Sequence, residues 1–194
     1  MRLSVLTKTV LVSLGLLAAL VMAVLFSILV GTSSLDVRRL FLDGLHGAEA
    51  EKTWTILFSY RVPRTLLAAV AGGGLACAGV VFQGVLRNPL ADPYLVGIAA
   101  GGGLGAVASI VIFGEGWFLS TPLCAFVGSL ISVGIVYGLA TVKRGAGYVN
   151  TVILAGVIVA AFMNALMLLI MSVSGSDELQ RILFWLMGDL SLAD

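Results

Sequence analysis

Five runs of this chain carry no charged side chain: residues 9–35, 65–86, 93–114, 116–142 and 145–176. They are 27, 22, 22, 27 and 32 residues long. An apolar α-helix needs roughly 20 residues to cross the hydrocarbon core of a membrane. No water is there to take up free backbone groups, so a single apolar run that crosses must be helical. The fold class is therefore all-α: a polytopic membrane helical bundle of five transmembrane helices. They are expected over 9–30, 63–83, 93–113, 122–142 and 148–173. Composition agrees, with 11% charged residues against about 25% in a soluble domain.

The charges that remain set a topology. Arg2 and Lys8 precede the first run. They resemble the start of a signal peptide, but the apolar run is too long for one and no A-x-A site ends it. The first helix is read as retained, with the N-terminus in the cytoplasm. Residues 32–60 form the long polar segment, read as a solvated outer loop with short amphipathic helical pieces. Lys143 and Arg144 form a basic pair in a short loop, which marks the cytoplasmic side. Arg38, Arg39, Lys52, Arg61, Arg64 and Arg181 fall outside by this topology, against a simple count. The orientation rests on basic residues in segments that lack acids.

Helix 2 opens at Pro63, and proline suits a first turn because that N–H has no intrahelical partner. Its small residues run from Ala68 to Gly79 and cover nearly every face at 100° per residue. A helix touching one neighbour needs one small face. Helix 2 is thus expected at the centre of the bundle. Asn88 and Asp92 each precede a proline and so leave the helical region. Asp92 can cap helix 3, with Pro93 as its first residue. The glycines of helix 3 allow close packing on one neighbour, and Gly134 and Gly138 are spaced for a helix contact in helix 4. Trp117 suits an interfacial anchor. Asn164 lies inside helix 5, where it either bonds another helix or lines a polar path. Ser174, Gly175 and Ser176 break that helix. Residues 177–188 read as a short outer interfacial helix capped by Ser176, with Asp177 and Glu178 in its first turn.

Much chemistry is missing from the sequence. A net charge of +1 offers no surface for nucleic acid. No G-x-x-x-x-G-K-[ST] loop is present to hold ATP. No helix interior carries an ionisable group of the kind that ion-coupled carriers place there. Cys77 and Cys124 lie in apolar runs and are read as packing residues, and His46 stands in a polar loop without ligand-type neighbours. No metal site, cofactor or catalytic constellation is expected. What remains is a permease-like bundle with its motor elsewhere, although a small channel or an assembly factor would share the composition.

Several segments closely resemble the FecCD-type permease family. They are R-V-P-R-T-L from Arg61, then Gln83 with R-N-P-L-A-D-P, and L-V-G-I-A-A-G-G-G-L-G after Tyr94. The helix 5 region and F-W-L-M-G-D-L-S near Phe184 are similar as well. Members are the membrane subunits of ABC importers for iron–siderophore complexes, haem and cobalamin. The resemblance implies a permease subunit for an iron–siderophore-type chelate, not itself an enzyme. Alternatives are a cobalamin or haem importer, or a non-transporting membrane scaffold. It implies three protein partners in the cell membrane: a second permease subunit (a homodimer or a paralogue), a cytoplasmic ABC ATPase, and a periplasmic or lipid-anchored substrate-binding protein.

It also assigns residues. Arg61 and Arg64 match the R-x-P-R motif that takes glutamates of the binding protein outside. Asn164 and Ser174, Gly175 and Ser176 map to the translocation pathway and its gate. Pro63, Gln83, Asn88, Pro89, Asp92 and Pro93 belong to the structural motif. The family has about ten spans and a coupling helix after the sixth, so this chain is truncated relative to that fold. Residues 1–194 are expected to be a single transmembrane permease domain, the N-terminal portion of such a protein. A fragment, a truncated gene or half of a split permease would read this way.

Overall fold

The computed structural model describes residues 4–30, 48–114, 119–141 and 148–188. The readings made for His46, Trp117, Lys143 and Arg144 fall outside them. Every element among the described residues is helical. Four helices are long and apolar enough to cross a membrane: Val5–Leu29, Glu51–Leu86, Ser120–Ala140 and Asn150–Val173. A fifth apolar helix, Ile98–Phe113, is shorter. Large apolar side chains such as Phe26, Val70, Phe126 and Phe162 are exposed along these helices. Water is a poor solvent for such surfaces and hydrocarbon a good one. The chain is a multi-pass membrane protein.

The described residues fall into two compact units, one within Met1–Gly74 and one within Leu75–Asp189. The first holds α1, Val5–Leu29. It begins a turn earlier than the apolar run because the Ser4 Oγ accepts from the Thr7 N–H at 3.2 Å, a side-chain N-cap. Next comes α2, Ala48–Thr55, which continues into a π-helical turn over Ile56–Arg61 and then into α3, Val62–Leu86, whose residues from Leu75 on belong to the second unit. Pro63 is thus a helix-interior residue, not a first-turn one. Proline has no N–H for the residue four back, and its ring crowds that carbonyl. The wider turn places the Val62 N–H on the Leu57 carbonyl, five residues back, and absorbs the misfit as π-bulges do.

A Cβ added at Gly72, Gly73, Gly74, Gly79 or Gly84 of α3 would meet nothing within 4 Å among the described residues.

The second unit is built on α4, Ile98–Phe113, α5, Ser120–Ala140, α6, Tyr148–Val173, and α7, Ser176–Met187. Helix 3 of the sequence reading is divided. Asp92 accepts from the Tyr94 N–H at 2.9 Å and caps a 3-10 turn, Pro93–Val96, with Pro93 at its start. Gly97 then takes φ 75°, and α4 follows. Sixteen residues span roughly 24 Å, short of the ~30 Å hydrocarbon core. The 3-10 turn adds about 8 Å.

Helices α4 and α5 meet backbone to backbone. A Cβ at Gly101 would lie 2.5 Å from the Gly128 carbonyl oxygen and the Ser132 Cβ. At Gly105 it would overlap the Cys124 carbonyl, and at Gly128 the Gly101 carbonyl. At Gly134 and Gly138, expected at a contact, a Cβ would meet nothing within 4 Å among the described residues. Helix α4 also touches more than one neighbour, because a Cβ at Gly103 would press on Met167 Sδ of α6 at 3.3 Å.

Two small clusters fill the core of this unit. Val136, Ala155, Val159 and Met163 are buried, with Phe82, Ile98 and Leu104 against them. Val107, Ile110 and Ile182 form the other, with Met167, Ile170, Met171 and Trp185 around them. Helix α7 therefore does more than lie at an interface. It folds back and seats Ile182, which is 0% exposed, between α4 and α6.

Candidate functional site

The R-x-P-R segment lies where the π turn enters α3. The Arg61 Nη1 donates to the Ile28 carbonyl at 2.9 Å and the Leu29 carbonyl at 3.0 Å. Both carbonyls belong to the last turn of α1, whose carbonyls have no N–H partner within the helix. The Arg64 guanidinium carbon stands 5.6 Å from the centroid of the Tyr60 ring, a cation–π arrangement. The Ser27 and Thr65 hydroxyls are hydrogen-bonded at 3.1 Å, which fastens α1 to the start of α3. Arg61, Pro63 and Arg64 are thus brought together with the end of α1. The sequence reading missed Tyr60, although its spacing of four from Arg64 was a visible signal.

The N-P-L-A-D-P turn is tied by its own side chains. The Asn88 N–H donates to the Gln83 carbonyl at 3.2 Å and the Arg87 N–H to the Gly84 carbonyl at 3.3 Å. These 6→1 and 5→2 bonds form a Schellman motif, with Arg87 at φ 50° in the left-handed position. Gln83 contributes its carbonyl, not its amide. The Asn88 Oδ1 accepts from the Leu90 N–H at 2.9 Å, and the Asn88 carbonyl accepts from the Ala91 N–H at 3.0 Å. Pro89 and Pro93 occupy positions that need no N–H. The motif is a short, self-capped connection.

Gly97, which the sequence reading treated only as a packing residue, is the junction of this unit. Its carbonyl accepts from the Ser132 Oγ at 2.8 Å, and the Ile98 carbonyl accepts from the Ser129 Oγ at 3.1 Å. Two serines three apart on one face of α5 thus hold the first turn of α4. Ser132→Ala is expected to lower stability by about 0.6 kcal/mol. The loss is small because the Gly97 carbonyl keeps its bond from the Gly101 N–H at 3.0 Å. A thermal melt in detergent reads it.

The residues assigned to a pathway lie on α6 and at its end. Asn164 is exposed on α6. Ten residues on, about 15 Å along the axis, the Ser174 Oγ donates to the Ile170 carbonyl at 2.8 Å. Gly175, not Ser176, is the N-cap of α7. Its N–H donates to the Glu178 Oε2 at 2.9 Å, so the acid at the third helical position satisfies the N-cap's own N–H, the half of a capping box that needs no N-cap side chain. Asn164 and the Ser174–Gly175–Ser176 break are therefore two separate polar points of one helix and its corner. Between α4 and α5 runs a groove of about 470 Å³ lined by Leu104, Ile112, Leu123, Val127 and Ile131. Its wall is almost wholly apolar, with Ser109 and Ser120 among the few polar side chains. Among the described residues, no group of three or more His, Cys, Asp or Glu could hold a metal ion.

The described residues thus form an all-helical membrane bundle with a broken, glycine-joined span and a short helix folded back at a polar corner. Residues 19–194 match the FecCD transport family, and the chain belongs to it. It is 35% identical to a ferric enterobactin transport system permease protein of Escherichia coli (strain K12), over 92% of this chain and 53% of that protein. It is 38% identical to a cobalamin import system permease protein of Halobacterium salinarum, over 72% of this chain and 37% of that protein. A solved ABC transporter of metal-chelate type, in an inward-facing conformation, matches with a TM-score of 0.74 at 28% identity. That match covers 92% of this chain and 53% of the other. The chain spans about half the length of the curated relatives it matches.

Proposed function

We propose that this chain forms part of the membrane-spanning permease of an ABC importer for an iron–siderophore-type chelate, with cobalamin or haem as alternative cargo. The observation that carries the reading is the likeness to a metal-chelate ABC transporter over 92% of the chain, joined to the R-x-P-R segment and the N-P-L-A-D-P turn. A partner ATPase drives the cycle, and a second permease subunit, the same protein or a paralogue, completes the path. The N-terminus is cytoplasmic. Arg61 and Arg64 then lie outside, where carboxylates of a substrate-binding protein find a paired cationic site. Asn164 lines the path, and the Ser174–Gly175–Ser176 corner with α7 forms part of its outer gate. The open small-residue surface of α3 suits enclosure by further helices of the whole permease.

The full-length protein, reconstituted with its ATPase, tests this. Arg61→Glu with Arg64→Glu is expected to abolish stimulation of ATP hydrolysis by the binding protein and leave basal hydrolysis intact. Unchanged stimulation would remove the pair from docking. Uptake of labelled ferric siderophore, cobalamin and haem by the wild type identifies the cargo, and uptake of none of them would refute the importer reading.

A further inference from the structure

The charge-free part of α1, residues 9–29, is roughly 31 Å long at 1.5 Å per residue. That matches the ~30 Å hydrocarbon core of a bilayer. One edge of the core therefore falls at the last turn of α1. Arg61 stands at the same level, because its Nη1 reaches the Ile28 and Leu29 carbonyls at 2.9 and 3.0 Å. The Ser27 and Thr65 hydroxyls, 3.1 Å apart, fix the same register one turn further in. Residues before Arg61 thus lie beyond the hydrocarbon, where the headgroup layer is roughly 5–7 Å deep.

Three large aromatic side chains fall at that layer. Tyr60, Phe58 and Trp54 precede Arg61 by one, three and seven residues, at most about 1.5, 4.5 and 10 Å along the axis. All three are exposed. The Trp54 and Phe58 rings are stacked with centroids 4.6 Å apart, so the indole lies within that distance of the Phe58 level. Tyr60 is about half a turn from Phe58, and Leu57, between the two faces, is buried. Charge begins just beyond, at the exposed Lys52 and Glu51. Arg64, three residues inside Arg61, carries its guanidinium back to 5.6 Å from the Tyr60 ring centroid, as long cationic side chains do at a hydrocarbon edge.

We propose that Trp54, Phe58 and Tyr60 form an aromatic collar that seats the π turn in the headgroup and glycerol layer of phospholipid. A protein partner covers one face of a helix, whereas a lipid layer surrounds it. Aromatic surface on two sides of one helix at one depth suits the layer. Tryptophan and tyrosine favour it because each ring has an apolar body and a polar edge. The collar sets the depth at which α1 and α3 are joined, and it holds whether or not Arg61 and Arg64 take carboxylates.

The test uses the full-length protein in phosphatidylcholine vesicles that carry a nitroxide either on the headgroup or deep in the acyl chain. The difference in emission between the parent and Trp54→Phe reads Trp54 alone. The headgroup nitroxide is expected to quench it at least twice as strongly as the deep one. On the Trp54→Phe background, Phe58→Trp and Tyr60→Trp each move the reporter, and both are expected to show the same preference. All three changes keep an aromatic ring in place. Quenching of Trp54 by iodide in the water but by neither nitroxide overturns the proposal, because the ring then stands clear of the membrane. Shielding from iodide and both nitroxides overturns it in favour of a protein cover. Stronger quenching by the deep nitroxide overturns the depth. A Tyr60→Trp reporter shielded from lipid while Trp54 is quenched leaves one wetted face and overturns the collar.

Discussion

Gly105→Val is expected to destroy the packing of the second unit. A Cβ at this position overlaps the Cys124 carbonyl and stands 3.3 Å from the Ala125 Cα. These are backbone atoms, so no side chain can swing aside. Helix α5 must move away from α4 as a body, and the Gly128 contact with the Gly101 carbonyl opens with it. Overfilling a well-packed contact costs about 1–3 kcal/mol and more where the backbone must shift. The upper end applies here, a large share of the stability of an ordinary domain. Size-exclusion chromatography of a fluorescent fusion should show loss of the monodisperse peak. Gly134→Ala is the control. It meets nothing within 4 Å, and replacing a helix-interior glycine by alanine contributes about 0.5–1 kcal/mol of stability. Equal behaviour of the two variants would refute the contact.

Gly97→Ala should be nearly as damaging, for a different reason. Its φ of 75° costs an L-residue roughly 1–2 kcal/mol. The new methyl group would also sit 3.1 Å from the Ser132 Oγ and 3.2 Å from the Gly156 carbonyl oxygen. The strain can be relieved only by returning the chain to a plain helix, which abolishes the 3-10 turn and rotates α4 against α5 and α6. A melting temperature several degrees below the parent is expected. Pairing with Ser132→Ala should recover part of the loss, because it removes one of the two close atoms. No recovery would place the penalty in the backbone angle and the Gly156 carbonyl contact, and not in Ser132.

Much of this fold is readable without coordinates, and the reason is the solvent. Hydrocarbon excludes charge, so the charge-free runs mark the apolar helices directly, and α6 has the bounds expected for it, Tyr148–Val173. Asp92 and Pro93 also act as read, because capping and the missing proline N–H are local effects. Effects that need a second helix are hidden. Gly101 and Gly105 have the same spacing as Gly134 and Gly138, yet among the described residues only the first pair meets a neighbour, since periodicity marks a face without saying what covers it. Pro63 looked like the start of a helix because a first turn and the residue after a π turn both tolerate a missing N–H. The carbonyl partners of Arg61 lie 33 and 32 residues away, beyond any local pattern. Arg61, Arg64 and the Ser174–Gly175–Ser176 corner are marked in the sequence by motif alone. What the folded chain adds is their local neighbours: the end of α1 for Arg61, Tyr60 for Arg64, and Glu178 for Gly175.

The π turn at Ile56–Arg61 has a consequence for how relatives of this chain can differ. Such a turn holds one residue more than the α-helical turn it replaces. It is therefore a site where the chain can lose a single residue and close into ordinary helix, at the cost of setting the Pro63 ring against the carbonyl four residues back. The segment before it then turns by about 100° about the helix axis. Alignment gaps of one residue should collect between Thr55 and Val62, and where they occur the outward face of the preceding helix is drawn from a different set of side chains.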